Sequence, residues 1–402
     1  MSRPLLYVAY PMKLDLGAAN AIQTYYTVTE LSKLVPGMRL VVPRWLREKS
    51  AFSRLNALHL PRPAVNKISR FVPWAGWSYI ERTLYSVMLV LLLLCWRFTG
   101  RGYRVIYVRD TVCAAWLAMF KWLHGTCLIY EVHDLEAGHP SKASRWPGVF
   151  WGWFLPWLDR RSLQGADRIV SLTGTFNEWL VIGNLRRVED VCVVPDAFAP
   201  PVGGYPTKAE ARQTLSLPAG AYIVGYAGLT FAYRRLDLLV EAFAQLVRQD
   251  DDAILLLVGG RPNEVRELRS MADKLGMRKG QLITTGQVEH EQTTLYLAAA
   301  DVLVIPDTVT QMTASPLKLF EYMAAGRPII CKDMPALREI VDENAALFFP
   351  EGDAAALAAC LLRLKLQPEV SERLGQNALK LSEQYTYRSR ATKIAEVVSS
   401  CR

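Results

Sequence analysis

Short apolar runs alternate with longer amphipathic stretches along the whole chain, and this pattern constrains the fold more than any other feature. The runs read as strands at Leu5–Tyr10, Arg39–Val42, Val105–Val108, Leu128–Glu131, Arg168–Leu172 and Val191–Val194. The pattern restarts at Ile223–Ala227, Ala253–Val258, Leu282–Thr285, Val302–Ile305 and Pro328–Cys331. Strands spaced by helices need crossover connections, so they form parallel sheets covered by helices. A chain of 402 residues is too long for one compact core and fits two domains. The Pro/Gly-rich stretch from Pro195 to Pro206 is the linker candidate. The expected division is therefore residues 1–200, residues 201–382, and a final helix over 383–402 that packs back on the first domain.

Charge separates the halves. Residues 1–200 hold 24 Lys and Arg against 14 Asp and Glu, and all 11 tryptophans. The remaining residues are close to neutral, with 23 basic and 24 acidic side chains. Basic charge interleaved with Trp fits lipid headgroups better than nucleic acid. The competing reading places Trp in the core and Arg in solvent. The seven cysteines, at 95, 113, 127, 192, 331, 360 and 401, form no CxxC pair and no Cys/His cluster. A structural metal site is not expected, and an odd count without a framework suits a reducing cytosol. The start MSRPLLYVAY runs directly into an apolar strand, so no signal peptide is expected.

Three apolar stretches need separate treatment. Thr83–Trp96 is 14 residues without charge. As a helix it spans about 21 Å, short of the ~30 Å hydrocarbon core. It reads as a buried or interface-lying helix. Phe71–Ile80 shares its character, and so does Trp146–Arg161, whose aromatics followed by Asp-Arg-Arg suit a helix in the headgroup region. For the last, packing against another helix or domain is the alternative.

Open parallel sheets bind ligands beyond the carboxyl ends of their strands. The most informative segment there is TASPLKLFEYMAAGRPII, Thr313–Ile330. Ser315 reads as an N-cap, Pro316 as the first helical residue, and Gly326 as the stop. The free N–H groups over the stretch from Ser315 to Leu317, at the positive end of the helix dipole, are a ready seat for a diphosphate; Pro316 itself supplies none. Lys318 and Glu321 share a helix face, where the carboxylate can accept from a ribose diol. The segment resembles the donor-binding motif of family-4 retaining glycosyltransferases, E-x-x-P-x-x-x-x-E-x-M-A-x-G-x-P-V. It is closest to the subgroup reading S-P-x-K-x-F-E-Y-M-A-x-G. The resemblance implies that Glu321 grips the ribose and that Ser315, Pro316 and Leu317 hold phosphate. The first glutamate of the family pair maps onto Thr313, which supplies a hydrogen bond without charge and leaves the donor sugar open.

A second segment, GYAGLTFAYRRLDLLVEAF at Gly225–Phe243, resembles the same family's strand–loop–helix. It implies that Gly228 approaches the donor and that Arg234 stabilises the departing diphosphate, with bidentate geometry. A further family arginine corresponds to Leu229, so one charge is missing unless Arg235 or Lys318 replaces it. LLLVGGRPNE resembles a family turn, which implies that Gly259 lies beside phosphate or sugar, and TTGQVEHE is similar to the family's base-binding stretch, which implies Gln287 and Val288 by the base. In the first domain, LGAANAIQ stands where the family carries a Gly-rich loop, which implies Gly17 and Asn20. YEVHDLE resembles the family's strand-end histidine segment, which implies His133 near the donor sugar, with Asp134 beside it. Arg109, in YVRD, is a candidate partner for an anionic acceptor.

Taken together, the resemblance implies a GT-B fold: two Rossmann-like α/β domains with parallel sheets facing across a cleft. It implies a glycosyltransferase that moves a hexose from a nucleoside-diphosphate sugar to a hydroxyl, with retention. No cofactor and no metal are expected. His133, Arg234, Lys318 and Glu321 carry the catalytic expectation. The expected partners are the nucleotide sugar, a glycan or lipid-linked acceptor, and the inner face of a cell membrane, without nucleic acid. Two alternatives keep the fold: a degenerate nucleotide-sugar-binding subunit, and an epimerase or hydrolase.

Overall fold

A computed structural model describes residues 3–16, 18–65, 76–137, 149–248, 252–307, 312 and 315–401. Gly17, Thr313, residues 71–75 of the second apolar stretch and residues 146–148 of the third lie outside the described residues. The contacts divide the chain into two units, Met1–Asp196 with Tyr387–Arg402, and Ala197–Thr386.

The first unit is built on strands β1 (Arg3–Val8), β2 (Arg39–Arg44), β3 (Ala57–Pro61), β4 (Tyr103–Val108), β5 (Cys127–Val132), β6 (Arg168–Ser171) and β7 (Val191–Val193). They form one parallel sheet in the order β3-β2-β1-β4-β5-β6-β7. Its helices are α1 (Ala19–Leu34), α2 (Trp77–Phe98), α3 (Thr111–Met119), α4 (Lys121–His124), α5 (Val149–Gly165) and α6 (Gly174–Ile182). The second unit carries β8 (Ile223–Ala227), β9 (Ile254–Val258), β10 (Leu282–Gly286), β11 (Val302–Ile305), β12 (Ile329–Lys332) and β13 (Ala346–Phe349). These are also parallel, in the order β10-β9-β8-β11-β12-β13. Around them lie α7 (Lys208–Thr214), α8 (Leu236–Val247), α9 (Pro262–Lys274), α10 (His290–Ala299), α11 (Leu317–Ala324), α12 (Pro335–Arg338), α13 (Ala354–Leu366) and α14 (Pro368–Ser382). The last helix, α15 (Tyr387–Ser400), belongs to the first unit.

Central strands are buried on both faces, which is why they read as continuous apolar runs. Leu5, Tyr7, Val105, Tyr107 and Ile129 form the first core with Ala391, Ile394 and Val397 of α15. The second sheet has a core on each face, one built with α11 and α12 and the other with α8 and α13. The sequence reading missed β3 and β13. Both are edge strands of their sheets.

Two expectations are corrected. The 14-residue apolar stretch lies inside a helix of 22 residues, long and apolar enough by length and composition to cross a membrane. The flanking charges do not end it, because Glu81 pairs with Arg62 at 2.6 Å and Arg82 with Asp110 at 3.0 Å. One face of this helix, including Tyr79, Tyr85, Leu89 and Leu93, is buried within the unit. The cysteines are not all unpaired either. Cys127 and Cys401, 274 residues apart, form a disulfide that ties the chain's last turn to the start of β5.

Candidate functional site

In each sheet the strand order reverses at a central strand, between β1 and β4 and between β8 and β11. Connections run in opposite directions there, which leaves a crevice at the strand ends. The sequence-marked residues gather at these two places, one in each unit.

In the second unit, β8 runs into Gly228, whose N–H donates to Val258 O at 2.9 Å. Gly259 N in turn donates to Gly286 O at 2.9 Å. Three strand-end loops are thus laced together by backbone. Gly259 has φ +104°, and a Cβ there would stand 2.4 Å from Gly228 O. Gly260 has φ +95°, with a Cβ 2.7 Å from Thr230. These positions exclude side chains by contact as well as by conformation. Val288, in the third loop, is part-buried and packs against the core.

The helix that follows β11 is shorter at its start than the sequence implied. α11 begins at Leu317 with Pro316 in the capping position and no side-chain cap. Ser315 is buried but is not the cap, because Pro316 keeps an extended backbone (φ −72°, ψ 123°). The stop is as expected, with Gly326 at φ +64°. Tyr322 anchors the helix to the β8 end, its hydroxyl accepting from Ala227 N at 2.7 Å.

Lys318 is the unexpected element. Its side chain is buried, and Nζ donates to Tyr226 Oη at 2.8 Å while lying 4.1 Å from the Tyr226 ring centroid. A Cβ on Gly228 would be 3.2 Å from Nζ, so the ammonium sits at the glycine loop. Burial pushes its pKa well below the usual lysine value. The neighbouring Arg234 lowers it further, and Glu321 acts in the opposite sense. Arg234 lies in the turn Ala232–Arg234, its guanidinium 5.1 Å from the Tyr233 ring, with Nε buried and unpartnered among the described residues. Within that set, neither cation makes an ion pair. Arg235, by contrast, pairs with Asp237 at 3.2 Å. Of the two residues that could replace the charge missing at Leu229, Arg235 is thus ion-paired, whereas Lys318 makes no ion pair among the described residues; Leu229 itself is exposed. Glu321 is part-exposed on the same helix, with Tyr205 Oη donating to its backbone carbonyl at 3.2 Å.

In the first unit, a cavity of about 430 Å³ opens beyond β1, β4 and β5. Asn20, Arg109, His133 and Asp134 line it. Sequence reasoning missed the residue that organises it. Glu131, fully buried, accepts from Arg109 Nε at 3.0 Å, from Arg390 Nη2 at 2.6 Å and from the Tyr107 hydroxyl. Its Oε1 also lies 2.5 Å from His133 Nε2. Arg109 Nε and Nη2 approach the same His133 Nε2 at 3.1 and 2.7 Å, so a carboxylate and a guanidinium both meet this one ring nitrogen. The two guanidiniums and the imidazole hold the Glu131 carboxyl well below its usual range despite its burial. A charged residue between Tyr130 and Val132 of an apolar strand was the available signal.

Arg109 does not stand free for an anionic acceptor. Beyond Glu131, its Nη1 donates to Thr24 at 2.8 Å and its Nη2 to Gln23 at 2.9 Å. Arg62 and Arg82, also lining the cavity, are paired with Glu81 and Asp110. The cavity thus presents paired charges and hydrogen-bonding groups instead of surplus positive charge. Among the described residues, no group of three metal-ligating side chains stands together.

The aromatic helix α5 is mostly a packing element. Trp151 and Leu155 are buried with Tyr79 and Val112, and Phe154 and Trp157 pack against them. Trp153 alone among its tryptophans is largely exposed.

Residues 207–381 match the family profile described as glycosyl transferases group 1. A D-inositol 3-phosphate glycosyltransferase of Saccharomonospora viridis is 25% identical over 307 residues, covering 70% of this chain and 66% of the relative. The chain thus spans about two thirds of that relative's length. Among solved structures, sucrose-phosphate synthase from Thermosynechococcus elongatus superposes with a TM-score of 0.75 at 18% identity, over 98% of each chain. Anabaena HepE in complex with UDP superposes with a TM-score of 0.72 at 15% identity, over 98% of this chain and 99% of that one. With its two parallel α/β units, the chain has the GT-B, Rossmann-like fold.

Proposed function

We propose that this protein is a glycosyltransferase that uses a nucleoside-diphosphate sugar and transfers its hexosyl group, with retention, to a hydroxyl of a glycan acceptor. The observation that carries this reading is the pair Arg234 and Lys318. Two cations approach each other at the end of β8 without a carboxylate partner among the described residues, one on a buried phenol and the other with an orphaned Nε. Burying unpaired charge is unfavourable unless a counter-charge arrives. A diphosphate supplies two, and the glycine loops leave room for its backbone-bound oxygens.

In this reading the start of α11 and the two cations hold the diphosphate, and Glu321 accepts from the ribose diol. The bond from the anomeric carbon to the phosphate oxygen breaks while the acceptor oxygen bonds to that carbon from the same face. The acceptor's proton passes to the departing phosphate. Arg234 and Lys318 stabilise the charge that develops on the leaving group, and such preorganised electrostatic stabilisation usually lowers the barrier more than any other single effect. No divalent ion is needed for that role, so activity should survive chelation. The paired charges around the first-unit cavity suit a neutral, hydroxyl-rich acceptor better than a free anion. The basic, Trp-rich first half supports a lipid-linked or membrane-proximal glycan, acting at the inner face of the membrane.

The test is calorimetric titration with uridine diphosphate, the ligand of the HepE structure, followed by a transfer assay. Glu321→Ala removes a charged acceptor, so nucleotide affinity should fall about 10- to 100-fold. Arg234→Ala should lower kcat by about 10²–10³. Turnover by Glu321→Ala near the parent rate would remove the assignment.

A further inference from the structure

At the opposite end of the first unit, where its strands begin, several connections are tied together. Arg97 Nη1, at the end of α2, donates to Leu123 O of α4 at 3.2 Å. Arg161 Nη2 of α5 donates to Ala118 O at 3.1 Å, and Arg186 Nη1 to Ala166 O at 2.8 Å. These ties gather Lys121, Arg161, Arg168, Arg186 and Arg187 around a cavity of about 1010 Å³ whose acidic residues are Asp167 and Asp190. Lys121 pairs with Asp167, Arg168 and Arg186 with Asp190 at 2.5 and 3.7 Å, and Arg187 with Glu189 at 3.2 Å, so five cations share three carboxylates. Arg161 and Arg186 cap carbonyls, and Arg186 Nε is buried without a partner among the described residues. Positive charge is in surplus.

Large apolar side chains stand beside this surplus. Trp122 lines the cavity and is 75% exposed, and Phe98, next to Arg97, is 85% exposed. Ile182 and Val188 flank the Arg186–Arg187 pair and are exposed as well. One exposed apolar residue needs no explanation. Several of them among unbalanced guanidiniums present the chemistry of a membrane interface: rings that enter the headgroup layer, and forks that grip phosphate.

We propose that this end of the first unit docks on an anionic lipid surface, with Phe98 and Trp122 entering the headgroups and the basic cavity receiving lipid phosphates. The proposal rests on the membrane-association part of the transfer reading alone, since this surface lies at the strand starts and the first-unit cavity at the strand ends. It moves the contact away from α5, where Trp151 is only 8% exposed.

Flotation of the full chain with vesicles tests it, without nucleotide or acceptor, so failure here leaves the transfer reading standing. The protein should float with phosphatidylcholine vesicles containing phosphatidylglycerol, at low salt, and not with phosphatidylcholine alone. Each cation near an acidic surface is worth about fivefold. Arg101 joins this surface at the end of α2, its N–H donating to Trp96 O at 2.8 Å, and the double reversal Arg101→Glu, Arg187→Glu should therefore weaken flotation by about 25-fold or more. Phe98→Ser with Trp122→Ser should also release the protein, while Trp153→Ser should float like the parent. All these positions are exposed, so thermal unfolding should stay near that of the parent. If a variant does not fold, quenching of Trp122 by brominated phosphatidylglycerol, read against Trp122→Phe, replaces it. Equal flotation on both vesicle types, full retention by both double variants, release by Trp153→Ser alone, absent Trp122 quenching, or tighter binding to duplex DNA than to the anionic vesicles would each overturn the proposal.

Discussion

At the residue scale, the candidate donor site depends on an amine held where it is least comfortable. Lys318 is buried against Tyr226, and its pKa is depressed, first by burial and then by Arg234. The folded chain therefore holds this proton less tightly than the unfolded chain, whose lysine titrates near 10.4. Unfolding takes up a proton in the window between the two values, so this group's contribution to stability rises with pH there. Lys318→Met should raise stability by about 0.5–2 kcal/mol, read by thermal unfolding, because the ammonium is no longer desolvated. The same change should cost at least about tenfold in diphosphate affinity. Parent affinity should tighten as pH falls through the depressed Lys318 value, and the variant should lose that slope. Glu131 behaves in the opposite way. Its carboxyl is held low by Arg390, Arg109 and His133, so its contribution is complete above the unfolded glutamate value near 4.3 and is lost as pH falls toward the folded one. Glu131→Gln leaves two buried guanidiniums short of charge and should cost about 3–5 kcal/mol in denaturant unfolding at neutral pH.

At the element scale, loops laced by backbone decide how closely a ligand can approach. Gly259 lies against the Gly228 backbone only because it carries no side chain. Gly259→Ala meets both a positive φ and a carbonyl oxygen 2.4 Å away. It should destabilise the protein by about 2–4 kcal/mol and weaken nucleotide binding with it. Gly220→Ala, with nothing within 4 Å of its Cβ, is the matched control and should be near neutral. Calorimetry on both variants separates conformational demand from a general loss of flexibility. Helix α2 teaches a related lesson about boundaries. Glu81 and Arg82 look like the edge of an apolar segment, yet their partners Arg62 and Asp110 carry the charge inside the unit. The helix continues through them.

At the scale of the whole molecule, the chain leaves the first unit at Asp196 and returns to it at Tyr387. Arg390 of α15 fixes that return, holding Glu131 at 2.6 Å and Pro195 O at 2.6 Å. Ile394 and Val397 complete the first core. Ending the chain after Thr386 should therefore remove the first unit's unfolding transition in a calorimetric scan. A second transition should remain and still move upward with added nucleoside diphosphate.

Strand positions, helix stops and the donor-binding motif were legible because each depends on a few neighbouring residues: an apolar run, a glycine after a helix, a lysine and a glutamate three apart. The chain by itself thus determined two parallel α/β units and a helix start between β11 and β12. Only the tertiary structure decided which charge answers which. Lys318 meets Tyr226 across 92 positions, Glu131 meets Arg390 across 259, and Cys127 meets Cys401 across 274. The helix start itself moved by one residue when Pro316 kept an extended backbone. The reason is that burial and Coulomb interaction depend on distance in space, and sequence spacing carries no measure of that once a sheet has folded between the partners.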